Sequence, residues 1–273
     1  MTDVAYSIRL EKVTQRFAAR NRPSYVAVKD ISFNVRAGSF LAIVGPSGCG
    51  KSTLLNAIAG LMPPAEGAIQ VFDTPLTGLN RRAAYMFQQD ALLPWKTVLE
   101  NVMLGLTFRD FDRKTAESRA RDWIERVGLA GFADAFPYQL SGGMRKRVAM
   151  AQCWIVEPDI LLMDEPFSAL DIHTRQKMES ELLQLWSETK QTIIFVTHDL
   201  EEAIALSDDV AVLSAGPASQ LIGIYPVRLS RPRDVMNLRT DAEFAQLYTK
   251  VWADLRVEVL KSQEQQHEPV ATV

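Results

Sequence analysis

Cysteine is scarce in this 273-residue chain, with only Cys49 and Cys153, so no disulfide framework can be the source of its stability. One of the two lies inside a glycine-rich loop, where a disulfide would distort the backbone, and this points to a reducing compartment. Charge of one sign is also missing. Lys and Arg number 30 against 33 Asp and Glu, for a net charge of −3, and no block of like charge stands out, which argues against nucleic acid as a partner. No apolar run approaches the roughly 18 residues of a membrane span, and the opening MTDVAYSIRL lacks the apolar core of a signal peptide. The chain is therefore expected in the cytosol, with any membrane role exercised through a partner. No internal repeat is present.

The composition is that of an ordinary globular protein, 47% hydrophobic and 23% charged, long enough to bury a full core. Its most informative stretch is Gly45-Pro46-Ser47-Gly48-Cys49-Gly50-Lys51-Ser52-Thr53. The apolar run Phe40–Val44 precedes it and the periodic run Leu54–Ala59 follows, so it reads as strand, tight glycine loop and helix start. That is the context a phosphate-binding loop requires. The glycines let the backbone wrap an anion with no Cβ in the way, and the helix start directs free N–H groups and a partial positive charge at it. Lys51 adds a point charge and the Ser52 hydroxyl can ligate Mg²⁺. A nucleoside triphosphate is the expected ligand.

Tyr6 to Phe17 and Val26 to Val35 alternate apolar and polar residues, predicting two half-buried strands joined by the polar stretch Ala18–Ser24; Gly67–Phe72 reads as a third. Strands with one wet face are usually antiparallel, so a small antiparallel sheet is expected beside the main one. Phe17 can be a core residue or a platform for a base; the residues alone favour the core. Ala83–Phe87 is a short strand leading to Gln88, and the apolar loop Ala91-Leu92-Leu93-Pro94-Trp95 suggests a docking surface. Thr97 to Pro137 is predicted as a helical lobe between strands. Leu140-Ser141-Gly142-Gly143-Met144 then opens another helix, whose start is either a plain cap or an anion site without its own lysine.

Ile160–Met163 is a continuous apolar strand running into Asp164-Glu165, and two carboxylates at a buried strand end need compensation. A metal ion shared by Ser52 and Asp164 would supply it, leaving Glu165 to polarise a water. Thr192–Val196 is a second such strand and ends in Thr197-His198-Asp199; His198 is either a turn residue or catalytic. Strands alternating with helices and delivering polar groups at their carboxyl ends imply a parallel sheet. Val210–Leu213 and Gln220–Leu229 are expected to close it. Arg231-Pro232-Arg233 reads as a linker, Phe244 to Leu255 as one face of a last helix, and Ser262–Val273 as a disordered tail.

With GPSGCGKST, Gln88, LSGGM, ILLMDE, SALD and His198 in this order, the chain resembles an ABC transporter ATPase over nearly its whole length. FQQDALLPW, DEPFSALDIHTR, FVTHDLEEAIALSD and LSRPRDV make it similar to the nitrate, sulfonate and taurine import subfamily. The resemblance implies an α/β P-loop NTPase core with a mainly parallel sheet, an N-terminal antiparallel β-subdomain and an inserted helical subdomain. It implies a cassette over residues 1–230, with the helical subdomain at about 91–157, and a C-terminal extension over 231–273. It further implies ATP as substrate with Mg²⁺ on Ser52, Asp164 and Gln88, Gln88 also sensing the γ-phosphate. Glu165 becomes the general base and His198 the residue that positions the water. Phe17 matches the aromatic that stacks on adenine, against its core reading. Ser141, Gly142 and Gly143 would reach the γ-phosphate bound by a second copy, with Asp171 at the same interface.

The implied partners are a second copy closing head to tail, an integral membrane permease and, indirectly, an extracytoplasmic solute-binding protein. The implied location is peripheral, on the cytoplasmic face of the inner or plasma membrane. The sequence departs from the family at Met144 and Lys146, each where glutamine is usual, and at Gln152-Cys153, where arginine-alanine is usual. Met144 nevertheless suits the import subfamily. A soluble ABC ATPase of DNA repair or translation would share the catalytic motifs, but those proteins generally carry tandem cassettes or coiled-coil insertions, which this chain lacks.

Overall fold

Apolar pentapeptides that alternate with amphipathic helices must bury both of their faces, and this chain does so with two sheets. The computed structural model describes residues 5–19, 22–109 and 111–267. Strands β1 (Tyr6–Ala19) and β2 (Arg22–Arg36) form a long antiparallel hairpin; part of the polar stretch between them lies outside the described residues. β3 (Phe40–Val44) follows, then helix α1 (Lys51–Ile58), β4 (Glu66–Val71) and the short β5 (Thr74–Pro75). The order β2-β1-β4-β5, antiparallel throughout, is the expected small sheet.

β6 (Ala83–Met86) leads into the helical lobe, α2 (Val98–Thr107), α3 (Arg113–Arg126) and α4 (Gly142–Trp154). The predicted helical stretch is thus divided. Thr97 and Glu100 form a capping box at the start of α2, and Asp112 caps α3 through the Thr115 amide at 3.0 Å. The chain returns through β7 (Ile160–Asp164), α5 (Ile172–Thr189), β8 (Thr192–Val196), α6 (Leu200–Leu206), β9 (Asp209–Leu213), β10 (Leu221–Pro226) and α7 (Ala242–His267). The six-stranded sheet has the order β10-β9-β3-β8-β7-β6, parallel except for β10.

The period of two along each central strand divides the core. Phe40, Ala42, Val44, Leu161, Met163, Ile193 and Phe195 face the helical lobe, α5, α6 and α7, whereas Leu41, Ile43, Ile160, Leu162, Ile194 and Val196 face α1 and the small sheet. All of these are buried.

Two expectations at the C-terminal end differ from the structure. Arg231-Pro232-Arg233 is no linker. Arg231 donates to the Leu206 carbonyl at 2.7 Å and to Asp208 at 2.9 Å, and Arg233 donates to the carbonyls of Ile204, Ala205 and Ser207 at 3.2, 3.0 and 2.7 Å. The last carbonyls of a short helix have no partners within it, and two guanidinium groups supply them. The tail read as disordered is helical as far as His267; the remainder lies outside the described residues. Burial of Phe244, Val251 and Leu255 against the core fixes the helix upstream of that stretch.

Candidate functional site

The glycine loop closes the carboxyl end of β3. Gly50 is the N-cap of α1 at φ +98°, and a Cβ there would come within 2.7 Å of Val28, so side chains are excluded twice over. A Cβ at Gly45 would meet the Cys49 sulfur at 2.8 Å. Cys49 is fully buried, and burial raises its thiol pKa, so it packs rather than reacts. Lys51 is buried, its ammonium donating to the carbonyls of Gly45 at 2.9 Å and Pro46 at 3.1 Å. The first amides of α1 have no partner inside the helix. A buried cation, orphan amides and a backbone stripped of Cβ atoms fit a phosphate chain.

The polar ends of neighbouring strands meet beside this loop. Ser52 Oγ donates to Asp164 Oδ1 at 2.9 Å, and the Tyr85 hydroxyl donates to Asp164 Oδ2 at 3.3 Å. Burial pushes the Asp164 carboxyl above the usual range, while these two hydroxyls pull it back. Hydroxyl and carboxylate oxygens are hard donors, the set that suits Mg²⁺. Tyr85, inside β6, was not legible as a site residue because its alternation reads as ordinary strand. Burial, with Asp164 beside it, pushes its phenol well above the ordinary value and keeps it a hydrogen-bond donor.

Glu165 sits one residue past β7 with φ +43°, a left-handed backbone for a non-glycine residue. Its amide donates to the Val196 carbonyl at 2.9 Å, and its carbonyl accepts from Ser168 Oγ at 3.0 Å. The carboxylate lies 3.0 Å from His198 Nδ1 and 3.5 Å from Gln88 Nε2. Beneath His198, the Thr197 hydroxyl donates to Glu202 and accepts from the Asp199 amide at 3.0 Å. Glu202 is buried, and burial pushes its carboxyl up to about 8.

Other expected site residues stand apart from this group. Ser141 caps α4 through the Met144 amide at 3.3 Å, and Asp171 caps α5 through the Thr174 amide at 3.0 Å. Both are exposed, and both starts adjoin, since a Cβ at Gly143 would lie 2.9 Å from Thr174. Among the described residues no hydrogen bond joins Ser141, Gly143 or Asp171 to the Lys51–Glu165 group. Phe17 is exposed rather than part of the core, and pairs in register with Tyr25. A Cβ on Gly216 would lie 3.6 Å from the Tyr25 hydroxyl and 3.4 Å from the Gly48 carbonyl, which puts this end of the hairpin beside the phosphate loop.

A phosphate cradle, a serine–aspartate pair and a glutamate–histidine pair therefore converge on one sheet edge, and the family described as ABC transporter matches residues 28–168. The chain belongs to the ABC transporter family. It is an ATP-hydrolysing, ATP-binding subunit of the import type. A taurine import ATP-binding protein of Rhizobium johnstonii is 39% identical over 251 residues, 91% of this chain and 96% of that protein. An aliphatic sulfonates import ATP-binding protein of Bacillus thuringiensis is 38% identical over 245 residues, 90% of this chain and 94% of its own length. Among solved structures, a dimeric post-hydrolysis ATP-binding cassette bound to ADP and Pi superposes with TM-score 0.72 at 32% identity, covering 82% of this chain and all of that one. This cassette shares their fold.

Proposed function

We propose that this cassette powers uptake of a small anion, of the nitrate, sulfonate or taurine kind, through a membrane permease, and that two copies close head to tail around two ATP molecules. The observation that carries the reading is the pair of contacts at one edge, Ser52 to Asp164 at 2.9 Å and His198 to Glu165 at 3.0 Å. Lys51 and the loop amides would hold the β- and γ-phosphates, with Gly45 to Thr53 as the cradle and Phe17 against the adenine. Ser52, Asp164 and Gln88 would hold Mg²⁺, which neutralises phosphate charge when bound. Glu165 would accept the proton of the attacking water, and His198 would orient that carboxylate and the water.

The exposed starts of α4 and α5, carrying Ser141 to Gly143 and Asp171, would complete the γ-phosphate site of the second copy. Closure is then favoured by ATP only through contacts that the γ-phosphate makes. The dimeric form of the related cassette supports this arrangement. The apolar loop Ala91–Trp95, with Trp95 70% exposed, would bear on the permease from its cytoplasmic face. No helix among the described residues is long and apolar enough to cross a membrane. In this reading residues 1–230 are the working cassette, 91–157 its helical subdomain and 231–273 a C-terminal extension, and a solute-binding protein selects the anion outside the membrane.

The test is co-expression with the candidate permease. The cassette should fractionate with membranes only when the permease is present, and ATPase activity of the reconstituted complex should rise with the binding protein and its anion. A cassette that stays soluble beside every candidate permease would favour the soluble, non-transport class.

A further inference from the structure

The structure carries an ionic strap between the signature helix and the Gln88 segment, built on a residue that departs from the family pattern. Lys146 lies on the second turn of α4 and its side chain is only 4% exposed. Its ammonium donates to the Gln88 carbonyl at 2.7 Å and pairs with Asp90 Oδ1 at 2.9 Å. Arg145 completes the cluster, donating through Nε to Asp90 Oδ2 at 2.8 Å and through Nη1 to the Leu140 carbonyl at 2.7 Å. One carboxylate thus holds two adjacent cations, one tied to the residue before Ser141 and the other to the backbone of Gln88.

We propose that Lys146 is a positioning residue for Gln88. Gln88 is exposed, and its side chain reaches Glu165 at 3.5 Å. An exposed glutamine has several rotamers, so its amide can be aimed only if its backbone is fixed. Among the described residues Lys146 donates the only side-chain hydrogen bond to the Gln88 carbonyl. Ala91 follows Asp90 at φ +48°, so the segment turns sharply just beyond the strap and has no strand partner there. The buried lysine is worth retaining only while both acceptors are present, because an unpaired buried ammonium is costly. Displacement of α4 therefore carries Gln88 with it, and the signature segment of the helical lobe reports its position to the glutamate of its own chain.

This inference rests on the reading of Gln88 as a sensor in the ATP site, and the test separates the two. Steady-state ATPase kinetics and thermal melting are measured on the full chain for Q88A, K146M, K146Q and the Q88A/K146M pair. Q88A should lower kcat at least tenfold. K146M, which keeps length but donates nothing, should lower kcat about five- to tenfold with KM for ATP changed less than twofold. K146Q, which can still donate to the Gln88 carbonyl, should recover most of that loss although it lacks the charge. In the Q88A background K146M should add less than twofold, because the group it positions is gone.

An unaltered Q88A would sink the sensor reading and with it the proposal. A Q88A defect beside a K146M rate within twofold of wild type would overturn the proposal alone, as would losses that multiply in the double variant. Equal losses in K146M and K146Q, following their melting temperatures, would make Lys146 a stabilising residue only and also overturn it. If K146M melts too low to assay, D90N loosens the same ammonium from its other side and should lower kcat at least threefold; an unchanged D90N rate would then decide against the strap.

Discussion

His198 Nδ1 lies 3.0 Å from the Glu165 carboxylate, although the two residues follow different strands of the parallel sheet. The distance is fixed by backbone pairing one step away, where Asp164 stands in register with Val196 and the Glu165 amide donates to the Val196 carbonyl. A carboxylate held by an imidazole on one side and the Gln88 amide on the other is oriented before any substrate arrives.

Glu165→Gln is therefore expected to lower kcat by about 10² to 10⁴-fold while leaving ATP affinity nearly unchanged, because the amide keeps the shape but accepts no proton. Single-turnover hydrolysis beside equilibrium nucleotide binding checks both halves. A Glu165→Gln protein turning over near the wild-type rate would remove this residue as the base.

Glu202 gives stability a pH dependence of known sign. Burial raises its carboxyl from 4.5 to about 8, so the folded chain holds a proton that the unfolded chain releases above 4.5. Its contribution is complete below about pH 4.5 and declines as pH rises through about 8. Glu179, raised by burial to about 7, adds a slope of the same sign that ends earlier. Denaturant titrations at about pH 6 and about pH 9 should show the wild type losing stability relative to Glu202→Gln over that interval, with a residual slope left in the variant. Parallel curves for the two proteins would contradict the buried neutral acid.

Arg233 donates to four carbonyls, three at the end of α6 and the fourth on Leu229 at 3.3 Å. Burial lowers its pKa to about 10, which still leaves it cationic near neutrality. Arg233→Met should cost about 3 kcal/mol in unfolding free energy, since the apolar replacement leaves part-buried acceptors without donors. A change below about 0.5 kcal/mol, the scale of an ordinary surface substitution, would restore the linker reading of this segment.

The parallel core was legible because Phe40–Val44, Ile160–Met163 and Thr192–Val196 are short apolar runs that end in polar residues. Asp164, Glu165 and His198 were legible for the same reason, since each stands at or just past a strand end; Ser52, in the first turn of α1, was legible from the glycine-loop motif that precedes it. Tyr85 and Lys146 were not, because each acts across elements distant in sequence. Tyr85 reaches Asp164 over 79 positions and Lys146 reaches Gln88 over 58. Arg233 was misread because Arg-Pro-Arg has linker composition, and only the fold reveals a helix end waiting for donors. Phe17 had an ambiguous pattern, which its exposure resolves against the core.

The apolar loop Ala91–Trp95 is held from beneath by one side chain. Asn101 is fully buried; its carbonyl accepts from the Leu93 amide at 2.8 Å, and its amide donates to the carbonyls of Leu93, Lys96 and Thr97 at 3.2, 3.0 and 2.9 Å. The backbone entropy of this loop is thus surrendered when the chain folds, not when something lands on it. A surface docking at Trp95 would therefore meet a backbone already ordered, and a load applied there would reach α2 through Asn101 without first having to order the loop.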